Sequence, residues 1–542
     1  MPAPDDRPEG RKETTASRGD PEPAPLRLLP VEVSEAPPSL PLISVDDAGT
    51  HAAPQRLPPD EDASAQPAVR MPSVVAQLAA PVLAGGLTIY LARSLKPASA
   101  GIYVLAVAIG AVALYAGWVG LPLLWAWTRS ADRGAGNTER TPSLQLVATA
   151  ICGTALLALA GTIAGAYGRP ALGWPLRWVA LAMIGQGVAW LLAAQTDVTR
   201  ESPIGAWITA AQGVIGVVDT VALVAGGAGV AGAVLGLVPG CVVAAAAGYL
   251  LAMRAPAGLG GRSPSGRAHG AVRPADVGAL SVADATWAAF VLVDVILVGA
   301  LVKAPALGRF GVVVLLAAAV AGTAASASGA LAGRAAGMPP DSEAERCRAG
   351  LRFMVVVQGA MVAPMIVWAE PLTHLLFGHA YGSAGGAMRA LAVFSFAAGP
   401  AWLMTRSVVR FGDVRSRLLA TSFPVEAGLI ATYLLTRPDG IVGAAIALDA
   451  LAVTYLAAHL RVASSLIDLK LTRLLRTFVR TAVAAIAMAV VLYGAGTSDL
   501  SAVGWVTGAI GGVAAFAAVL LVTGEVSLAQ LPGGLRSGRT PQ

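Results

Sequence analysis

LARSLKPASAGIYVLAVAIG, residues 91–110, and VGALVKAPALGRFGVVVLLA, residues 298–317, superpose at an offset of 207 positions. Lys96 falls on Lys303, Gly101 on Gly308 and Tyr103 on Phe310. Each stretch leaves an apolar segment, crosses a short basic turn containing a proline and enters another apolar segment at a glycine. A helical hairpin made twice at this distance predicts a duplicated unit rather than a single irregular bundle. Small residues recurring by coincidence in an apolar chain are the competing explanation.

Working outward from the two hairpins, apolar segments recur along the chain. Hydrophobic residues make up 56% of it and charged residues only 13%, against about 25% charged in soluble domains. A crossing helix needs about 20 apolar residues. By that measure about 14 segments qualify, centred near Leu83, Ala113, Leu156, Ile184, Ile215, Val242, Ala289, Ala319, Gly359, Phe394, Glu426, Leu448, Ala485 and Val513. The fold class is therefore an all-α integral membrane protein. The hairpins join helices one and two and helices seven and eight, so the repeat is a six-helix unit. An even number of crossings keeps both copies in one orientation, related by an axis along the membrane normal.

The division that follows is 1–70 as a tail, 71–254 as helices one to six, 255–276 as a linker, 277–461 as helices seven to twelve, and 462–542 as an amphipathic linker, helices thirteen and fourteen and a tail. Residues 1–70 are rich in Pro, Asp, Glu, Ala and Ser and carry 13 acidic against 7 basic residues. Such a segment cannot bury enough apolar surface to offset its chain entropy, and we read it as disordered. It also lacks the apolar core and cleavage site of a signal peptide. The linker is rich in Gly, Pro, Ser and Arg, a flexible composition. Leucines interleaved with Lys470, Arg473 and Arg476 within 464–480 read as an amphipathic helix along the inner leaflet.

Charge assigns the sides. The chain is +6 overall and the tail is −6, so residues 71–542 carry +12. The loops and helix ends after even-numbered helices hold 23 of the Lys and Arg residues, whereas the opposite side holds 8. This bias predicts that both termini are cytoplasmic in the plasma membrane. The bases are scattered among loops, so nucleic acid is a poor partner; anionic membrane lipid is a better one.

The same segments carry a family resemblance. Ala92, Arg93, Leu95, Pro97, Gly101 and Tyr103, followed by Gly120 and Leu121, resemble the first hairpin of bacterial polysaccharide flippases. These belong to the multidrug, oligosaccharidyl-lipid and polysaccharide exporter superfamily. Lys96 stands where the family usually has glycine, and Phe310 where the second hairpin has tyrosine. FVLVDVILVGALVKAPALGRF, with Asp294, Gly299 and Gly308, resembles the family's helix seven. AEPLTHLLFGHAYGSAGGAMRALA and GIVGAAIALDAL resemble its entries to helices ten and twelve. The motifs occur in the family's order over residues 74–460. The resemblance implies two six-helix lobes in a V around a central cavity, plus two extra C-terminal helices. It implies movement of a lipid-linked glycan from the inner to the outer leaflet, as in polysaccharide or lipopolysaccharide assembly for the cell envelope. Its implied partners are that substrate, a proton or sodium ion, and a glycan polymerase or glycosyltransferases.

Charges placed in lipid cost about 2.5–3.5 kcal/mol at a helix centre, so those within helices need a reason. Asp219, Asp294, Glu426 and Asp449 fall inside apolar segments. They are candidates for ion coupling or for lining a wet cavity; the alternative is a structural hydrogen bond between helices. An anionic diphosphate carrier would need cations, and the bidentate guanidinium suits phosphate. Arg93, Arg389 and Arg406 are the candidates, against simple snorkelling to the headgroups. Arg410 reads as a surface charge.

Nothing supports catalysis. There is no phosphate-cradling loop, nucleophile elbow or HExxH motif, and no cofactor is expected. Cys152, Cys241 and Cys347 lack metal-ligand spacing, and the nearest histidines, His374 and His379, stand five positions apart. The leading function is a flippase for lipid-linked oligosaccharide or polysaccharide working by alternating access. Its alternatives are an ion-coupled multidrug or cation antiporter of the same superfamily, and a non-transporting scaffold in glycan assembly. A glycan polymerase or ligase would need a sizeable outside loop, which the chain lacks. Transport energy would come from an ion gradient or from downstream consumption of the glycan.

Overall fold

The computed structural model describes residues 71–120, 141–200, 204–253, 291–333, 341–411, 414–467, 469, 471–498 and 500–525. The 1–70 tail, the 255–276 linker and the residues after 525 lie outside the described residues. Those described are helix and turn, with no strand among them. In order they form α1 (Met71–Ser94), α2 (Pro97–Tyr115), α3 (Thr141–Ala166), α4 (Gly173–Arg200), α5 (Ile204–Leu223), α6 (Gly229–Leu235) and α7 (Leu237–Met253). A second set comprises α8 (Val291–Leu301), α9 (Ala304–Gly333), α10 (Asp341–Val367), α11 (Ala369–Phe377), α12 (Gly385–Ala390), α13 (Ala392–Phe411) and α14 (Val414–Leu466). Two further helices, α15 (Leu471–Ala495) and α16 (Ala502–Val522), are the last among the described residues.

Among the described residues nine helices are long and apolar enough to cross a membrane, or ten if the bent pair His379–Ala390 and Ala392–Thr405 is one span. The chain is a multi-pass membrane protein. Two of those nine stretches contain a turn. In α14 the chain reverses at Gly440, and a side chain placed on Gly428 would strike Leu451 in the other arm. The α5–α6 junction reverses at Gly229. Gly229 (φ 56, ψ −134) and Gly440 (φ 58, ψ −133) share one left-handed conformation and are 211 positions apart. Glycine reaches that region without steric cost. Each opens a similar sequence, GVAGAV and GIVGAA. The duplication therefore extends beyond the first hairpin.

The hairpins themselves answer why the unit is repeated. The chain turns at Lys96, whose backbone is extended (φ −65, ψ 151), and Pro97 opens α2, where a missing N–H costs nothing. In the second hairpin Ala304 opens α9 and Pro305 follows it, and α2 packs against α9. The contact is reciprocal. A Cβ on Gly101 would land on the Ala304 carbonyl oxygen, and one on Gly308 would land on the Pro97 carbonyl oxygen. Because Pro97 aligns with Ala304 and Gly101 with Gly308, the two hairpins meet across a local two-fold axis. Without a hydrophobic drive between helices in lipid, close backbone approach at small residues is what holds such a crossing. Tyr103 and Phe310, the aligned aromatics, are both buried beside it.

The apolar stretch 369–390 does not form an extended loop. It folds into α11, a 3₁₀ turn (His379–Ala384) and α12, with Phe377 and Tyr381 buried at the hairpin end. Nor do residues 464–480 form one separate interfacial helix. Ser464–Leu466 end α14, and Leu471–Arg480 run unbroken into the spanning part of α15. Leu474 and Thr477 are buried there while Arg473 and Arg476 stay exposed. The amphipathic pattern reports a helix half-covered by neighbours.

Polar contacts anchor these last two helices. At one end the Trp368 ring N–H donates to the carbonyls of Leu492 (3.3 Å) and Gly496 (2.9 Å). At the other, Glu525 accepts from Arg352 (3.0 Å), Arg480 (3.0 Å) and Thr477 (2.7 Å). Burial alone would push the Glu525 carboxyl up, but the Thr477 and Arg480 hydrogen bonds and the Arg352 charge outweigh it and hold it low. A depressed carboxyl stabilises the fold above its unfolded value of about 4.3 and ceases to do so as pH falls through its folded value. Glu525→Gln is expected to cost about 1–3 kcal/mol at neutral pH, mostly from the half-buried Arg480, since the half-exposed Arg352 contributes little. Melting curves of the two proteins should differ at pH 7 and draw together progressively as pH falls below about 4; a gap that stays constant in acid would refute the assignment.

One proline inside a helix is compensated by a side chain of its neighbour. Pro400 in α13 leaves the Phe396 carbonyl without its helical donor. The buried Gln358 of α10 supplies one: its carboxamide donates to Phe396 O (2.8 Å) and accepts from Gly399 N (3.3 Å).

Candidate functional site

At the hairpin end the two sets of helices are fastened to each other through backbone carbonyls. The Arg93 guanidinium donates to the carbonyls of Leu375 and Leu376, which are the last turn of α11. A guanidinium there neutralises the negative end of the helix and satisfies orphan acceptors. From the other direction, the Tyr381 hydroxyl donates to Leu95 O (3.2 Å). Arg169, in the α3–α4 turn, donates to Val302 O, and Tyr167 donates to Ile296 O (3.2 Å). Arg309 donates to Ala380 O at 3.3 Å within the second set. Burial lowers the Arg169 guanidinium, partly offset by Tyr167. Four side chains and the two glycines thus close one end of the bundle.

Deeper in the second set lies Asp294 on α8, only 1% exposed and flanked by aliphatic residues. The Thr432 hydroxyl of α14 donates to its Oδ1. Its Oδ2 has no partner among the described residues. Thr436, one helical turn beyond Thr432 on the same arm, is also buried, and its hydroxyl has no partner either. A buried carboxylate with one free oxygen is costly. Chemically, such a site can take up a proton or a small cation that hard oxygen ligands accept.

The other candidates are dispersed. Asp449 accepts from the Phe394 backbone N–H at 2.7 Å. Phe394 is in the first turn of α13, so the carboxylate caps that helix from a neighbouring one. Glu426 lies on an exposed face of α14, and Asp219 is half-buried in α5. Arg389 is exposed and donates to Ile366 O at 3.1 Å. Arg406 belongs to α13, but its side chain is outside the described residues. Among the described residues no hydrogen bond or ion pair joins any two of these seven. Nor does any group of three His, Cys, Asp or Glu side chains among them form a metal site. His374 and His379 pack ring to ring at 4.9 Å.

Several polar groups escaped the sequence reading. Thr432 and Thr436 stand four apart in IATYLLTRP, a spacing that puts both on one helix face. Gln186 and Gln212 sit in apolar runs and bond to each other. Each was visible as a polar residue within an apolar run, yet uncharged residues cross lipid cheaply enough to attract no notice.

No protein-family model matches the sequence, and no curated protein matches it. Solved structures share its fold. A lipid II flippase, MurJ, in an inward closed conformation superposes with a TM-score of 0.59 at 11% identity, covering 84% of this chain and 98% of that one. An inward-facing multidrug resistance MATE family transporter of the MOP superfamily superposes with a TM-score of 0.50 at 16% identity, covering 74% of this chain and 99% of that one. The chain has the helical fold of these transporters.

Proposed function

We propose that the protein is a flippase or exporter that moves a lipid-linked oligosaccharide or polysaccharide intermediate across the plasma membrane by alternating access. The observation that carries this reading is the fold shared with the lipid II flippase over 98% of that protein. The ordered motifs of residues 74–460 support it independently. On this reading residues 71–254 and 277–461 are two lobes that rock about the central axis. The hairpin end is closed by Arg93, Arg169, Tyr167 and Tyr381, and opening it requires their carbonyl hydrogen bonds to break. Asp294 is the coupling carboxylate, taking a proton or sodium. Glu426, Asp449 and Asp219 have lesser parts, Asp449 because it already caps α13. Arg93, Arg389 and Arg406 are the proposed contacts for the carrier's phosphates, with Arg93 free to serve only once it leaves α11. A glycan polymerase or glycosyltransferases would be neighbours in the same assembly.

The test uses the full chain in liposomes containing a fluorescent polyprenyl-diphosphate sugar. A membrane-impermeant quencher should reach the inner-leaflet pool only when the protein is present. An inner pool that stays protected would refute the flippase. A second reading, an ion-coupled antiporter, is favoured by the multidrug transporter's similar fold and by the free oxygen of Asp294. Proton-driven efflux of an organic cation from the same liposomes, without lipid movement, would select it.

Both termini are placed in the cytoplasm, from the 23-to-8 bias of basic residues. Reporter fusions within the first 70 residues and after Gln542 should both report cytoplasm; an external signal at either would overturn the topology.

A further inference from the structure

Neighbours on one face of a continuous helix are three or four positions apart, and His374 and His379 are five apart. The fold brings them together by ending the helix between them. α11 stops at Gly378, whose φ is 87, a conformation that glycine adopts without strain. The chain turns there, and the two imidazoles meet with ring centres 4.9 Å apart and planes at 66°. A Cβ on Gly382 would meet His374 Nε2, so a second glycine gives that ring its place. His374 is half-buried and His379 exposed. Among the described residues neither imidazole has a hydrogen-bond partner, which leaves their ring nitrogens available as ligands.

Imidazole nitrogen binds zinc at about 2.0–2.1 Å, and two imidazoles on one tetrahedral ion have ring centres about 5 Å apart. The observed separation matches without backbone movement. The broad χ2 well of histidine lets each ring turn a nitrogen toward a shared ion. Structural zinc sites use four protein ligands. Here two imidazoles leave the other positions to water, which makes the site reversible. Glu370, exposed one helical turn before His374 on α11, favours a cation at this corner. Arg309, which donates to the Ala380 carbonyl beside His379, opposes it and keeps the affinity moderate.

The pair also brackets a contact between the two sets of helices. Leu375 and Leu376 lie between the histidines, and their carbonyls accept from Arg93. Two residues beyond His379, Tyr381 donates to the Leu95 carbonyl. We propose that His374 and His379 together bind one zinc ion, and that the bound ion fixes this turn and holds the hairpin end closed. When Arg93 leaves, the last turn of α11 loses its cap and the two rings part. Zinc therefore binds the closed arrangement better and shifts the equilibrium toward it by that difference in affinity. Zinc binding stands whether or not the protein is a flippase; the hold on closure rests on the hairpin end opening during transport.

Equilibrium dialysis of the tag-free full chain in detergent against zinc chloride tests the site. One saturable site is expected. His379→Ala and, separately, His374→Gln should each weaken it about tenfold or more, a loss of about 1.4 kcal/mol. The His51→Ala/His269→Ala double variant should bind as the parent does. Amide hydrogen exchange tests the hold on closure, because it reads local opening. Zinc should slow exchange about fivefold or more in residues 369–384 and, across the contact, in residues 91–103, and it should slow neither in His379→Ala. No saturable uptake up to about 1 mM zinc, or binding untouched by both single variants, would overturn the site. Slowing confined to residues 369–384 would overturn the hold on closure while leaving the site in place.

Discussion

Gly308→Val should drive the two hairpins apart. The new Cβ would coincide with the Pro97 carbonyl oxygen, and a backbone oxygen held by α2 cannot swing away as a flexible side chain could. Overpacking of this kind costs about 1–3 kcal/mol, and more where backbone is the obstacle. The cost falls only on the conformation in which α2 and α9 touch. A conformational equilibrium would therefore shift toward the separated state by roughly 5- to 150-fold. Spin labels on Lys96→Cys and Lys303→Cys, with the three native cysteines replaced, would read the separation directly, since both lysines are exposed. The distance distribution should move to longer values in Gly308→Val and stay unchanged in Gly161→Ala, where a Cβ meets nothing within 4 Å. The aligned Gly101→Val should reproduce the effect, because the contact is reciprocal. An unaltered distribution in both valine variants would remove the glycine crossing as the hinge of closure.

Transport should collapse in Asp294→Asn while the protein accumulates normally. The amide keeps the size of the side chain and can still accept from Thr432, so packing is preserved. It loses the titratable charge and most of the affinity for a cation. Coupling free energies are ordinarily about 1–3 kcal/mol, or roughly 5- to 150-fold, so transport should drop at least about fivefold. A packing role predicts transport close to that of the parent. Thr436→Val separates the two further. Its buried hydroxyl lacks a partner, and an unsatisfied buried polar group costs about 1–3 kcal/mol. If Thr436 serves only packing, the near-isosteric valine should raise the melting temperature and leave transport intact. If the hydroxyl receives the cation beside Asp294, valine should raise the melting temperature and lower transport together. Full transport by both variants would end the proposed role of this pair.

Much of the architecture was legible in residue order. Lys96 and Lys303, Gly101 and Gly308 announced the duplication before any contact was known, and the structure made it a reciprocal crossing. Asp294 was conspicuous as a carboxylate among aliphatic neighbours, and it is the most buried of the four candidate acids. Asp449 was legible as an acid in a helix but not as the cap of α13, since its partner, the Phe394 amide, lies 55 positions away. Arg93 was legible as a cation at the end of α1. That it holds the last turn of α11, more than 280 positions away, was not. The Gln186–Gln212 pair and the Glu525 anchor carried no sequence signal beyond polarity.

The sequence by itself determined that the chain is helical and crosses the membrane repeatedly. Lipid leaves the backbone no other way to satisfy its hydrogen bonds, and transfer of each segment is a nearly additive property of its own residues. It also determined the repeat, because a glycine needed at a close crossing must recur wherever the crossing does. Only the tertiary structure decided which polar atoms meet. Rotation of each helix about its axis is set by packing against neighbours distant in sequence, and a rotation of one residue would turn Asp294 away from Thr432.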